Sequence, residues 1–306
     1  NYIGNDGSVA RANTSGGVVV AGTGAVIGGP AVERNVISGN GANGILLLPS
    51  AGNIGIRGNY IGLNASGASA LPNGSNGVRV LANAGQVDIG GINQSEGNVI
   101  SGNAGDGIGL EIGSLGARVR GNRIGTNATG TAAVANAGAG INIGGGAHQI
   151  GGNSIAARNP ISGNAQIGVV IGNLTGTITV SGNYIGSNGA GTAAIPNGAG
   201  GIRVLNTGGS LVIGGANSNE GNLISGNNDY GITLDGDTSE VDVLGNRIGT
   251  SADGSAALPN QGAGISLSGS NHTIGGATAL ARNLISGNGG GGGRLSGGAT
   301  HPPPPG

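Results

Sequence analysis

The chain has 306 residues, 74 of them glycine, and contains no Cys, Met, Trp or Phe. With aromatic residues at only 1%, an interior must be assembled from many small aliphatic contacts, which favours thin stacked layers over one large globular centre. The lack of cysteine excludes disulfides and cysteine-ligated metals, and a formal net charge of −1 gives no electrostatic reason to expect nucleic acid as a partner. No apolar run approaches the roughly 20 residues of a membrane span.

An N-x-I motif recurs from the first residue almost to the end of the chain. Successive motifs are separated by 34, 24, 39, 24, 37, 24, 39, 24 and 37 residues, so that a short unit alternates with a longer one. Their asparagines are Asn1, Asn35, Asn59, Asn98, Asn122, Asn159, Asn183, Asn222, Asn246 and Asn283. Self-similarity at this period predicts a solenoid, in which each unit buries its apolar face against its neighbours.

The short unit 98–121 contains three brief apolar stretches, namely Val99 with Ile100, Ile108 with Leu110, and Val119. Glycine and asparagine separate them, and none has the length or spacing of a helix, so each is predicted to be a half-buried strand. Three such strands per unit make one coil of an all-β parallel solenoid. We therefore predict about nine to ten coils of alternating 24 and 34–39 residues.

The long unit is interpreted as the same coil with one insertion. Loops of constant style begin at 64, 127, 188 and 251, as in "NATGTAAVAN" and "NGAGTAAIPN". We expect them to leave the rod at one corner on every second coil and to form a row about 9.6 Å apart, twice the spacing of strands in a sheet.

The asparagines of N-x-I-x-x-N suit solenoid corners, because asparagine tolerates left-handed backbone and its amide bonds to backbone and to stacked copies of itself. An asparagine ladder is predicted for Asn35, Asn59, Asn98, Asn122, Asn159, Asn183, Asn222, Asn246 and Asn283. The isoleucine of each motif should point inward and stack on its equivalents.

The strings "VISGN…GI.L" and "GNRIGT…PN…GI.V…IGG" resemble the right-handed parallel β-helix repeats of the pectin-lyase-like superfamily, especially repetitive bacterial secreted and surface proteins. The resemblance spans residues 1–288 and implies a right-handed single-stranded β-helix in a secreted or cell-surface location. Because the chain opens inside a repeat, we expect it to be a fragment of a longer protein. Residues 289–306 form a Gly- and Pro-rich segment that we expect to be disordered.

Large side chains occupy the middle position of N-x-I, which should face outward. Tyr60, Arg123, Tyr184 and Arg247 lie beside the predicted loop row and are the candidate glycan-facing surface. The alternative is that these side chains only cover a ladder of strands.

Charges also recur. Arg34, Arg158 and Arg282 precede their asparagines, and Glu96 and Glu220 occupy related positions between them. The pattern indicates a charge ladder that fixes register or, alternatively, a track for an anionic ligand.

The densest acidic group lies between 229 and 242, where Asp235 and Asp237 flank a turn. They are a candidate Ca²⁺ site, and the alternative is a solvated turn. No other cofactor is expected. His148 and His272 lack a second ligand at metal spacing, and we expect both to be hydrogen-bonded corner residues.

The resulting hypothesis is a structural or adhesive β-helix that contacts polysaccharides or cell-surface glycans, with end-to-end self-association through uncapped sheet edges. The alternative is a carbohydrate-active enzyme, a lyase, hydrolase or epimerase, of the resembled superfamily. The regularity of the repeat argues against the enzyme, because converging catalytic residues would interrupt it.

Overall fold

Parallel strands from successive coils stack into three sheets that enclose a narrow aliphatic core. The structure is a computed structural model that describes residues 1–93, 95–236 and 238–295. It is an all-β parallel solenoid of about ten turns, as predicted, and within these ranges the helical segments are three short 3₁₀ turns: Ala31–Glu33, Ile155–Ala157 and Ala279–Ala281.

Each coil contributes one strand to each sheet, apart from the last coil, whose described residues add no strand to sheet 3. Sheet 1 consists of β1 (Tyr2–Ile3), β4 (Val36–Ile37), β7 (Tyr60–Ile61), β10 (Val99–Ile100), β13 (Arg123–Ile124), β16 (Pro160–Ile161), β19 (Tyr184–Ile185), β22 (Leu223–Ile224), β25 (Arg247–Ile248) and β28 (Leu284–Ile285). Sheet 2 consists of β2 (Val18–Val20), β5 (Ile45–Leu47), β8 (Val78–Val80), β11 (Ile108–Leu110), β14 (Ile141–Ile143), β17 (Val169–Leu174), β20 (Ile202–Thr207), β23 (Ile232–Asp235), β26 (Ile265–Leu267) and β29 (Gly293–Leu295). Sheet 3 consists of β3 (Val26–Gly28), β6 (Ile54–Arg57), β9 (Val87–Gly90), β12 (Ala117–Arg120), β15 (His148–Gly151), β18 (Thr177–Ser181), β21 (Ser210–Gly214), β24 (Val241–Leu244) and β27 (Thr273–Ile274).

The register places equivalent residues on top of one another. Ile100 pairs with Ile61 on one side and with Ile124 on the other. All three side chains are fully buried, which confirms the inward column of N-x-I isoleucines. This stacking lets the core be filled by β-branched and leucine side chains without aromatic residues.

The prediction of one insertion per long coil is wrong, because the structure has two. At the first corner, between sheets 1 and 2, the insertion is closed by an antiparallel bridge, as between Leu63 and Ala70. At the third corner, between sheets 3 and 1, short coils turn within Gly121 and Asn122, whereas long coils insert a segment such as 152–158. The sequence does not indicate the second insertion, because "GGNSIAAR" resembles ordinary turn sequence. We call the two rows the first-corner loops (5–12, 63–72, 126–135, 187–196 and 250–259) and the third-corner loops (29–34, 91–93 with 95–97, 152–158, 215–221 and 276–282).

The predicted asparagine ladder is present along its whole length, with Nδ2 of each residue donating to Oδ1 of the next at 2.8–3.1 Å. A typical member is Asn122. Its Oδ1 accepts from the backbone and side-chain nitrogens of Asn98, and its Nδ2 donates to Ile89 O and Asn159 Oδ1. Every hydrogen-bonding position of this buried amide is therefore filled.

The structure also contains a second asparagine ladder, parallel to the first, whose members are not among the predicted ladder residues. It links Asn13, Asn40, Asn73, Asn103, Asn136, Asn164, Asn197, Asn227, Asn260 and Asn288 through the same Nδ2-to-Oδ1 bonds. In short coils its members are the last asparagines of N-x-I-x-x-N. In long coils the last asparagine of the motif, such as Asn127, forms hydrogen bonds within its first-corner loop. Its place in the ladder is taken by the asparagine at the end of that loop, such as Asn136.

The last described strand, β29, lies in the segment that composition assigns to the tail after residue 288. This strand pairs in parallel with β26. The pairing depends on backbone hydrogen bonds and therefore does not require apolar side chains. Residues 296–306 lie outside the described part of the chain.

Candidate ligand-binding trough

The outward face of sheet 1 forms the floor of a trough. Its strands are only two residues long, and on long coils a first-corner loop projects on one side and a third-corner loop on the other. The floor residues are therefore the middle residues of N-x-I, with Tyr or Arg on long coils and an aliphatic residue or proline on short coils.

Each first-corner loop bends over the floor residue of its own coil. A Cβ added at Gly67 would lie 2.7 Å from the Tyr60 ring, and one at Gly191 would lie 3.0 Å from the Tyr184 ring. Both glycines also have positive φ, near 70°. Glycine at this loop position therefore allows the backbone to pack directly on an aromatic or arginine side chain.

Around Tyr184, Leu223 and Arg247 the trough forms a groove of about 430 Å³. Tyr184 and Arg247 come from the floor, Arg158 and Arg282 from the third-corner side, and Asp253 from a first-corner loop. Three arginines and one acid give this groove an excess of positive charge in a nearly neutral protein.

Arg158 connects the wall to the floor. Its guanidinium lies 3.8 Å from the centroid of the Tyr184 ring, and its Nε donates to the backbone oxygen of Gly182 at 3.3 Å. In the described part of the chain, Arg158, Arg247 and Arg282 take part in none of the ion pairs, whose arginines are Arg11, Arg57, Arg79, Arg118, Arg120 and Arg203. The groove thus presents cations whose charge is not neutralised by a bonded carboxylate.

Asp253 is the one acid among the described residues that line the groove. Hydrogen bonds from the Ser251 hydroxyl and from the backbone and hydroxyl of Ser255 lower its pKa to about 2. The carboxylate is consequently ionised at any ordinary pH and would oppose an anionic ligand there.

The four predicted surface residues differ in where they lie and in how exposed they are. Tyr184 and Arg247 line one groove, and Arg123 is exposed farther along the trough. Tyr60 is only 9% exposed, because Arg34 covers its ring at 4.1 Å and Leu63 and Val99 pack against it. The prediction that Tyr60 lies on an exposed surface is therefore wrong.

Asp235 lies on a different face of the solenoid, on sheet 2, where it forms a salt bridge with Arg203. Asp237, its predicted partner, lies outside the described residues. Within the described ranges no three histidine or acidic side chains come together as a metal site. The Ca²⁺ site stays a prediction.

The histidine prediction is confirmed. His148 Nδ1 accepts from the backbone N–H of Ala117 at 3.0 Å, and Nε2 lies 2.7 Å from Gly145 O. The ring is therefore neutral with its proton on Nε2, and burial lowers its pKa below the usual value. His272 contacts Val241 and Ser268 in the same way.

The recurring charges do not pair with one another along the corner. Arg34 and Arg158 each donate to a corner glycine carbonyl, of Gly58 and Gly182 respectively. Glu96 instead binds Arg57 and the backbone of Asn93. These contacts do not form the charge ladder that the first interpretation predicts. The second interpretation, a track for an anionic ligand, stays a prediction.

No protein-family model, curated protein or solved structure matches this chain. The molecule is thus defined by its fold, a parallel β-solenoid with two stacked asparagine ladders. Among the described residues no helix has the length and apolarity required to cross a membrane.

Proposed function

We propose that this chain is a structural or adhesive segment of a secreted or cell-surface protein, and that its trough binds linear glycans carrying carboxylate or sulfate groups. The observation that carries the proposal is the cluster of Arg158, Arg247 and Arg282 around the half-buried ring of Tyr184. The location rests on the resemblance to repetitive bacterial surface β-helices.

The chemistry of the cluster favours such a ligand. A guanidinium offers paired N–H donors that match the geometry of a carboxylate or sulfate. Arg247 and Arg282 are exposed, so their donors are accessible from the open side of the trough. The part of the Tyr184 ring that remains accessible supplies an apolar contact for the carbon face of a sugar.

The repeat extends the argument from one groove to a track. Arg34, Tyr60 and Arg123 occupy the positions of Arg158, Tyr184 and Arg247 one block of 124 residues earlier. At the spacing of strands in a sheet, this is a displacement of about 19 Å along the trough. Because Tyr60 is covered, the earlier position offers the exposed Arg123, and a linear polyanion that reaches from Arg247 to Arg123 gains affinity from two linked contacts.

The test is a titration of the purified chain with chondroitin sulfate and polygalacturonate, using dextran as the neutral comparison. Arg247→Gln should weaken binding to both acidic polymers, and added salt should weaken it further. Arg79→Gln is the matched control, because Arg79 lies on sheet 2 in a salt bridge with Glu111. Equal binding of dextran, or equal losses in the two variants, would contradict the proposal.

The second candidate is a carbohydrate-active enzyme of the pectin-lyase-like superfamily. The observation in its favour is the ionised Asp253 beside Arg247 in the same groove. Incubation of the chain with the same polymers, with and without Ca²⁺, decides between the two: release of unsaturated or reducing ends would identify an enzyme, whereas binding without release supports adhesion.

A further inference from the structure

Asparagine followed by glycine is chemically reactive, because glycine leaves its backbone nitrogen unhindered for attack on the asparagine side-chain carbonyl. The chain holds seven such pairs. Their asparagines are Asn40, Asn43, Asn73, Asn76, Asn188, Asn197 and Asn288. Since the local sequence is the same, any difference in reactivity among them has to come from the fold.

In six of the seven pairs, the glycine backbone nitrogen that would attack the asparagine is hydrogen-bonded within the solenoid. The N–H of the glycine donates to a backbone carbonyl of the neighbouring coil at 2.8–3.0 Å. These bonds are Gly41 to Asn13, Gly44 to Asn76, Gly74 to Asn40, Gly77 to Asp106, Gly198 to Asn164 and Gly289 to Asn260. Attack on the side chain would require the coil to open first.

The seventh pair, Asn188 and Gly189, lies in a first-corner loop. In the described structure the N–H of Gly189 donates no hydrogen bond, and a Cβ built there would meet no atom within 4 Å. The equivalent residues of three other loops are Ala65, Ala128 and Ala252, and each donates its N–H to a glycine carbonyl of the preceding loop at 2.9 Å.

The side chain of Asn188 is also arranged for reaction. Its Oδ1 accepts from the backbone N–H of Thr192 at 2.9 Å and from that of Ala193 at 3.4 Å, and its Nδ2 donates to the Thr192 hydroxyl. Donors aimed at Oδ1 stabilise the oxyanion that forms when the carbonyl carbon is attacked.

Asn127 provides a matched comparison within the same chain. Its Oδ1 accepts from Thr131 and Ala132, and its Nδ2 donates to the Thr131 hydroxyl. The Asn127 Oδ1 also accepts from the Thr129 hydroxyl at 3.1 Å, a contact that Ala190 cannot make at Asn188. The other contacts of the two amides are the same, and the following nitrogen is free at Gly189 but bonded to Gly67 at Ala128.

We propose that Asn188 is a site of spontaneous deamidation and that the solenoid protects the other six Asn-Gly pairs. The Gly189 nitrogen loses its proton to hydroxide and attacks Cγ of Asn188, so that a bond forms between them. The Cγ–Nδ2 bond then breaks as Nδ2 takes a proton from water, ammonia leaves, and a succinimide remains. Water opens the ring to aspartate or isoaspartate, which places a new negative charge on the loop that packs against Tyr184.

The experiment is incubation of the folded full chain at mildly alkaline pH, followed by peptide mapping with mass spectrometry. Asn188 should lose ammonia at least about tenfold faster than any other Asn-Gly pair, a ratio that corresponds to about 1.4 kcal/mol of protection. In concentrated urea the seven pairs should react at similar rates, which would assign the difference to the fold.

Two variants test whether the rate depends on the hydrogen bond of the backbone nitrogen after the asparagine or only on that residue being glycine. Gly189→Ala should slow the reaction at Asn188. Ala128→Gly should leave Asn127 slow as long as the hydrogen bond to Gly67 persists, which slow amide hydrogen exchange at residue 128 would verify. Reaction of a protected pair such as Asn73 as fast as Asn188 in the folded chain, or rapid reaction of Asn127 in the Ala128→Gly variant with that hydrogen bond intact, would overturn the proposal.

Discussion

The guanidinium of Arg158 lies 3.8 Å from the centroid of the Tyr184 ring, and the same pair occurs 124 residues earlier as Arg34 and Tyr60. The two pairs differ in their burial. Leu63 packs against Tyr60, whereas the equivalent residue beside Tyr184 is Ser187. A smaller neighbour leaves the second ring accessible from the trough, so that one stack is structural and the other is open to a ligand.

Replacing Arg158 by glutamine should lower the free energy of unfolding by roughly 0.5–1.5 kcal/mol, because the ring contact and the hydrogen bond to Gly182 are both lost. Arg158→Lys should recover part of the loss, since it keeps the charge but not the planar group. Urea unfolding measures both. Arg34→Gln should cost at least as much at the more buried Tyr60, and a smaller effect there would contradict this account.

Asn136→Ala should destabilise the solenoid by at least about 2 kcal/mol. The buried amide of Asn136 accepts from Asn103 and donates to Ile100 and Asn164, and its removal leaves these partners unsatisfied. The comparison is Asn127→Ala, which removes bonds only within an exposed loop. Thermal unfolding that shows equal losses for the two variants would contradict the assignment of Asn136 to the ladder.

His148 should make stability depend on pH. Burial lowers its pKa below the usual 6.5, so the unfolded chain binds the proton more readily than the folded chain. The contribution is fully present above about pH 6.5 and is lost as the pH falls from that value toward and through the lower pKa of the folded state, by at most about 1.4 kcal/mol per pH unit. Urea unfolding between pH 8 and pH 5.5 measures the slope. His148→Gln should flatten it, and an unchanged slope would show that other groups cause it.

Asp253→Asn should strengthen binding of acidic glycans, because it removes the one negative charge among the described groove residues. The wild-type carboxylate keeps its charge down to about pH 2, so the gain should be the same at pH 5 and at pH 7. The corresponding residue of the earlier block is Thr129, and Thr129→Asn should leave binding unchanged. Weaker binding by Asp253→Asn would indicate that the carboxylate contacts the ligand.

The sequence predicts the coils, the inward isoleucines and the first ladder, because each depends on a motif that repeats at a fixed position. It does not predict which of Asn127 and Asn136 enters the second ladder. Both are asparagines near a turn, and the choice depends on which one the fold brings under Asn103.

The sequence predicts the groove less completely than the scaffold, because residues outside the repeated motif decide which side chains are exposed. Tyr60 and Tyr184 share one motif, and their different exposure depends on Leu63 and Ser187, which lie in the loops rather than in the motif. The third-corner side of the groove, with Arg158 and Arg282, depends on an insertion that glycine-rich turn sequence conceals. Repeats therefore specify the scaffold, whereas the departures from the repeat specify the surface.

Both asparagine ladders run in the same sense, since each Nδ2 donates toward the following coil and each Oδ1 accepts from the preceding one. Every coil consequently has a donor side and an acceptor side, and the amide dipoles add along the axis. A coil inserted upside down would set two carbonyl oxygens or two amide groups against each other. The solenoid is thus a polar column, in which a coil continues both ladders only when it has the same orientation as its neighbours.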